Sequence, residues 1–194
     1  MKLEMNFEKR HRLVREVIET LILTVLMFLI INTAVQNFDV DGMSMEPRLH
    51  NGERLMVDKA IYLFHPPARG DVIVFVAPPQ PALDYVKRII GLPGDTISVV
   101  NGVPTVDGVT LKEFYVDPHQ MGASQTDRTI QNLVVPAGEY FVMGDNRIES
   151  FDSRSWGFLP KKNIIGRATL VYWPLGKDND GLLPDVSSVF AKVH

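Results

Sequence analysis

Hydrophobic and polar positions divide the chain into two unlike parts. From Thr20 to Phe38 no residue is charged, and most positions are Leu, Ile, Val, Met or Phe. At a helical rise of about 1.5 Å per residue these 19 residues cover roughly 28 Å, close to the roughly 30 Å hydrocarbon core of a bilayer. The run is apolar on all faces, which sets it apart from the one-sided stripe of a soluble core helix. A cleavable signal peptide would have a shorter apolar region and small residues before its cut; only Ala34 in Asn32-Thr33-Ala34-Val35 comes near that pattern. The pattern predicts an uncleaved anchor over 20–38, with Glu16 and Glu19 at its interfacial end.

Orientation follows from the flanking cations. Lys2, Lys9, Arg10, Arg12 and Arg15 precede the run, whereas Arg48 and Arg54 are the only Lys or Arg in the twenty residues after it. The positive-inside rule then places residues 1–19 in the cytoplasm and everything from about 39 onward across the membrane.

Beyond Asp39 the periodicity changes. Short β-branched runs recur between Gly and Pro punctuation: Arg54–Ile61, Asp71–Ala77, Asp84–Ile90, Thr96–Val100, Leu133–Val135, Tyr140–Met143 and Ile164–Trp173. Among these, Asn51–Ile61 is the one stretch that also reads as the start of a helix. Val99-Val100-Asn101-Gly102-Val103-Pro104 has the signature of a tight hairpin. The fold class expected is mainly β, an antiparallel sandwich or barrel-like domain over 39–175 behind one transmembrane helix. Within it, 99–135 reads as a small accessory excursion, with 114–132 polar and outside the core. Residues 176–194 read as a loosely held tail.

Composition then removes whole classes of function. At 194 residues and 21.8 kDa the chain holds one ordinary domain plus an appendage. A net charge of −3 and a pI near 5.9 argue against nucleic acid as a partner. Cysteine is absent, so thiol nucleophiles and Cys-ligated metals are excluded, and covalent catalysis would have to use Ser, Thr, Lys or a carboxylate.

Three segments carry candidate chemistry. Ser44 lies six residues past the apolar run in Val40-Asp41-Gly42-Met43-Ser44-Met45-Glu46-Pro47, at most about 21 Å from its end. Taken alone it reads as a turn serine. In Asp84-Tyr85-Val86-Lys87-Arg88-Ile89-Ile90, strand alternation puts Tyr85, Lys87 and Ile89 on one face. Lys87 there either snorkels to solvent or is a desolvated amine, neutral enough to take a hydroxyl proton. Gly144-Asp145-Asn146-Arg147-Ile148-Glu149-Ser150-Phe151-Asp152-Ser153-Arg154-Ser155-Trp156-Gly157 is either a capped turn or a rigid polar scaffold orienting that amine. His50, His65 and His119 lie outside apolar strands and make poor bases, and Asp41, Asp145 and Asp152 lack the symmetric setting of an aspartic protease pair.

Together the three segments, with Arg69-Gly70-Asp71-Val72-Ile73-Val74-Phe75 between them, resemble the bacterial type I signal peptidases, membrane-anchored Ser–Lys proteases that remove signal peptides from exported preproteins. The resemblance implies Ser44 as nucleophile and Lys87 as general base, with Ser150 hydrogen-bonding the lysine. Asp145, Asp152 and Arg154 would then form the supporting polar cluster. It implies shallow substrate pockets around Phe38, Val40, Leu49, Tyr85 and Val86, admitting small residues in an A-x-A pattern. No cofactor and no metal are implied. The partners implied are preprotein signal peptides and the lipid bilayer, in proximity to the secretion translocase, and the localisation is the cell membrane. Some members carry a serine two residues before the nucleophile; here it is Gly42, so the oxyanion hole would rest on backbone N–H groups. That form is similar to the shorter Gram-positive-type enzymes, with the accessory β region trimmed. The rival from another class is a membrane-tethered β domain without activity, serving as an adaptor. A self-cleaving repressor with Ser–Lys chemistry is disfavoured, because a membrane span precedes the β domain and a helix-turn-helix does not.

Overall fold

The computed structural model describes residues 7–124, 127, 130–174 and 181–193. A 28-residue helix, α1 (Phe7–Ala34), leads the chain, and its apolar side chains, such as Leu21, Leu23 and Phe28, stay exposed. It is long and apolar enough to cross a membrane. The helix stops four residues short of the end of the apolar run. Val35–Asp39 form strand β1, antiparallel to β2 (Arg54–Asp58), with Val35 opposite Asp58 and Phe38 opposite Leu55. Backbone pairing with β2 and the polar Gln36 and Asn37 take these residues out of the helix, which ends at Ala34, inside the 20–38 apolar run. A hydrogen bond from Lys59 N–H to the Ala34 carbonyl, 2.8 Å, ties the end of α1 to the β domain.

Among the described residues the β-strands form two antiparallel sheets. The larger runs β1, β2, β11 (Ile164–Trp173), β3 (Val72–Val76), β4 (Asp84–Gly91), β9 (Glu139–Met143) and β10 (Leu159–Pro160). β3 sits between β11 and β4 and is buried from Val72 to Phe75, which explains its unbroken apolar run where an edge strand would alternate. The smaller sheet runs β7 (Val109–Thr110), β6 (Val103–Val106), β5 (Thr96–Val100) and β8 (Ile130–Val134). Its first hairpin turns at Asn101 and Gly102, both at positive φ, 48° and 77°, as the Asn-Gly signal predicts. After β2 comes no long helix, only the single turn α2 (Ile61–Phe64), whose start is held by Asp58 Oδ1 accepting from Ala60 and Ile61 N–H.

Two expectations fail here. The polar stretch 114–132 contributes to the core, because Tyr115, Val116 and Ile130 are buried among apolar side chains of both sheets, including Ile97 and Phe141. The C-terminal tail is also held. β12 (Gly181–Leu182) pairs with β11, and Val186, Phe190 and Val193 pack into the same cluster. Their spacing of four and three residues was the available signal, masked by the Asp178-Asn179-Asp180-Gly181 run before it. Residues 175–180 lie outside the described residues.

Candidate active site

Ser44 stands in an irregular segment fixed from both ends. Gly42 adopts φ 106°, a region open to glycine, and donates its N–H to Asn51 Oδ1 at 2.9 Å. Downstream, Met45 and Leu49 are buried in a cluster with Val40, Leu55 and Val57. The Ser44 carbonyl accepts the Asn146 N–H at 3.1 Å, which clamps this segment to the polar run after β9.

Lys87 comes to the serine from β4, where it lies opposite Ile73 on β3. Its Nζ is 2.6 Å from Ser44 Oγ, donates to the Val86 carbonyl at 3.0 Å, and sits 5.4 Å from the centre of the Tyr85 ring. The residue is 4% exposed. Burial pulls the amine down from 10.5 to about 8; Asp152 and Asp145 resist that fall, while Arg154 adds to it. The amine is thus desolvated, the alternative to snorkelling that the strand pattern left open.

The polar run forms the scaffold around the pair. Asp145 and Arg88 make a buried bidentate ion pair at 2.9 and 2.6 Å, and Arg88 also donates to the Gly70 carbonyl and lies 4.2 Å from the Tyr115 ring centre. Asp152 Oδ2 accepts from Gly144 N–H (2.9 Å), Ser150 Oγ (2.6 Å) and Arg154 Nη2 (2.8 Å), while Oδ1 accepts from Arg154 Nε at 2.9 Å. Burial alone would raise the Asp152 carboxyl, but the Arg154, Ser150 and Gly144 donors outweigh it and hold the group below its ordinary value. Arg154 extends the network to Asp127 at 2.8 Å.

One placement differs from the reading of the sequence. Ser150 donates its hydroxyl hydrogen bond to Asp152 at 2.6 Å, whereas Lys87 Nζ bonds Ser44 Oγ and the Val86 carbonyl. Its effect on the lysine runs through Asp152. Val40, Tyr85 and Val86 line a cleft of about 270 Å3 that opens over Ser44 and Lys87. Leu49 and Phe38 do not line it: Leu49 is fully buried in the cluster that holds Val40, and the half-buried Phe38 packs against that cluster. Three further groups escaped the sequence. Glu113 pairs with the buried Arg147 at 2.6 and 2.7 Å, and Arg147 Nε donates to the Gly144 carbonyl at 3.0 Å. Gly144 itself touches Ser44 so closely that a Cβ there would collide with the Ser44 carbonyl oxygen and Ser150. Nothing near Glu113 in the sequence marks it as a partner of the polar run. Among the described residues no group of His, Cys, Asp and Glu is arranged to hold a metal ion.

An antiparallel β domain holding a hydroxyl against a buried amine, at the floor of an open cleft, has the makings of a hydrolase that works by acyl transfer. Known proteins narrow that class. The family model of signal peptidase, peptidase S26, matches residues 13–173. Signal peptidase I of Leptolyngbya laminosa is 39% identical over 173 residues, 84% of this chain and 81% of that protein. Signal peptidase I P of Bacillus subtilis subsp. natto is 37% identical over 180 residues, 88% of this chain and 97% of that protein. A crystal structure of a signal peptidase I from Enterococcus faecalis is 34% identical, covers 54% of this chain and 98% of that one, and has a TM-score of 0.46. The chain belongs to the signal peptidase family, peptidase S26, as a type I signal peptidase and thus a serine endopeptidase.

Proposed function

We propose that the chain is a membrane-tethered endopeptidase that removes signal peptides from preproteins, with Ser44 as nucleophile and Lys87 as general base. The observation that carries this reading is the 2.6 Å approach of a 4% exposed amine to the Ser44 hydroxyl. With a pKa near 8 a useful fraction of that amine is unprotonated at neutral pH. Neutral Lys87 removes the Ser44 proton as Oγ attacks the scissile carbonyl. The same ammonium then returns the proton to the departing amine nitrogen, leaving an acyl-enzyme. Water, deprotonated by Lys87, attacks the ester and frees Ser44. Gly42 supplies no hydroxyl to the oxyanion, so backbone N–H groups, including that of Ser44, do that work.

The signal peptide lies extended in the cleft, its small side chains against Val40, Tyr85 and Val86 in an A-x-A pattern. Ser150 and Arg154 hold Asp152, and Asp152 and Asp145 act on Lys87 through their charge. Helix α1 spans the cell membrane once, with the basic N-terminus in the cytoplasm and the β domain on the outer face near the secretion translocase. That placement confines the enzyme to the plane where its substrate's apolar segment is already inserted.

The test is cleavage of a preprotein by the full chain in detergent. Ser44→Ala and Lys87→Ala each abolish cleavage while circular dichroism stays that of the folded domain. Cleavage that survives in both variants overturns the assignment and favours the adaptor reading.

A further inference from the structure

Four carboxylates rim the cleft over Ser44 and Lys87. Asp39 and Asp41 stand on the segment leading into Ser44, Asp84 opens β4, and Glu149 comes from the polar run. All four residues are exposed. Asp39 has Arg54 at 3.1 Å; among the described residues Asp41, Asp84 and Glu149 have no ion-pair partner. The one cationic residue in the described lining is Lys87, whose working form is neutral. The walls between the carboxylates are apolar, chiefly Val40 and Val86, and low-dielectric walls focus a field of one sign into a cleft.

Reach follows from chain geometry. Asp41 and Asp39 are three and five residues before Ser44, so they lie within about 11 and about 18 Å of it. Asp84 is three strand positions from Lys87, about 10 Å. An extended substrate advances at the same rate, so these charges face its residues out to about five positions from the scissile bond.

We infer that the cleft selects substrates by charge as well as by side-chain size, favouring Lys or Arg within about five residues of the cut and rejecting Asp or Glu there. This rests on the reading of the cleft as the preprotein site and adds the substrate chemistry that the rim prefers. The attraction acts at encounter and in the bound complex, and salt screens it because the carboxylates are exposed.

The experiment uses the full chain in detergent and a set of preproteins that differ at one residue. That residue is Gln, Lys or Glu, placed in turn at each position within about five of the cut. At low ionic strength kcat/KM at the most sensitive position is expected to be about tenfold higher for Lys than for Glu, with Gln between them, and the ratio shrinks at about 0.5 M salt. The combined variant Asp41→Asn, Asp84→Asn, Glu149→Gln brings the Lys-to-Glu ratio close to one. Should it fold poorly, Asp41→Asn and Glu149→Gln singly each reduce the ratio. The inference is overturned if wild-type enzyme cuts the Gln substrate yet treats Lys and Glu alike at every position, or if the preference persists in the neutralised variants. Failure to cut even the Gln substrate, or cutting by Ser44→Ala, instead removes the underlying reading of the site.

Discussion

Replacing Gly144 with alanine probes how tightly the site is built. An added Cβ would lie 2.6 Å from Ser150 Cβ and would also collide with Ser150 Oγ and the Ser44 carbonyl oxygen. The glycine cannot retreat, because its N–H is bonded to Asp152 at 2.9 Å and its carbonyl accepts from Arg147 at 3.0 Å. Ser150 can yield to its own clash, but relief of the clash with the Ser44 carbonyl oxygen has to come from Ser44, at the cost of the 3.1 Å bond from Asn146 N–H to that carbonyl. Restoring ordinary van der Waals separation moves the serine backbone by about 1 Å, and a misplacement of that size costs about 100-fold in rate. Overpacking also destabilises by about 1–3 kcal/mol, worth a fall of about 2–12 °C in Tm for a chain of this size. The assay pairs kcat/KM for preprotein cleavage with thermal melts. Gly122→Ala is the control, since a Cβ there meets only Ile148 at 3.8 Å, and it keeps the wild-type rate. Wild-type cleavage by Gly144→Ala at an unchanged Tm would refute the claim that Gly144 sets the position of Ser44.

Two predictions concern buried charge. Arg88→Met leaves Asp145 buried without its partner and costs about 3–5 kcal/mol, read as a Tm lower by about 10 °C, whereas Arg88→Met with Asp145→Leu recovers most of the loss. An equal loss in the double variant would show that the pair adds net stability of its own. Lys87 also links stability to pH. Its folded pKa is near 8 against an ordinary 10.5, so between these values the unfolded chain holds more protons and stability rises with pH. The contribution is about 3 kcal/mol, complete above about pH 10.5 and lost as pH falls to about 8. Urea unfolding at the two ends of this window should show that difference between wild type and Lys87→Met; parallel curves for the two would contradict it.

Much of this was legible in the sequence, for identifiable reasons. The apolar run, the Asn-Gly turn and most of the β-branched strands follow local rules and reappear near their patterns, although the helix ends at Ala34, the Arg54–Ile61 run is a strand only to Asp58, and the strand near Leu133 starts at Ile130. Strand pairing outbid helix propagation at Val35–Asp39, and pairing partners are not written locally. For Lys87 the strand pattern only posed the choice, since a lysine between Tyr85 and Ile89 on an apolar face is costly unless it is neutral, paired or snorkelling, and its burial became visible in the fold. Ser150 bonds Asp152 because the fold of the 144–154 run turns its hydroxyl that way, which no local pattern encodes. Glu113 pairs with Arg147, 34 residues away, and Tyr115 and the tail residue Phe190 share a core cluster with Ile97 and Phe141, so no window of sequence holds these pairs together. Gly144 looked like turn punctuation, although what requires it is the close approach of Ser44, 100 residues away.

The most direct test is the pH dependence of Ser44 acylation, followed by single-turnover release of the mature protein from about pH 6 to about pH 10. A neutral Lys87 acting as base predicts a rate that climbs about tenfold per unit below about 8 and levels off above it, with no such inflection in Lys87→Met. A rate flat across that range, or the same inflection surviving without the lysine, would mean that some other group takes the serine's proton.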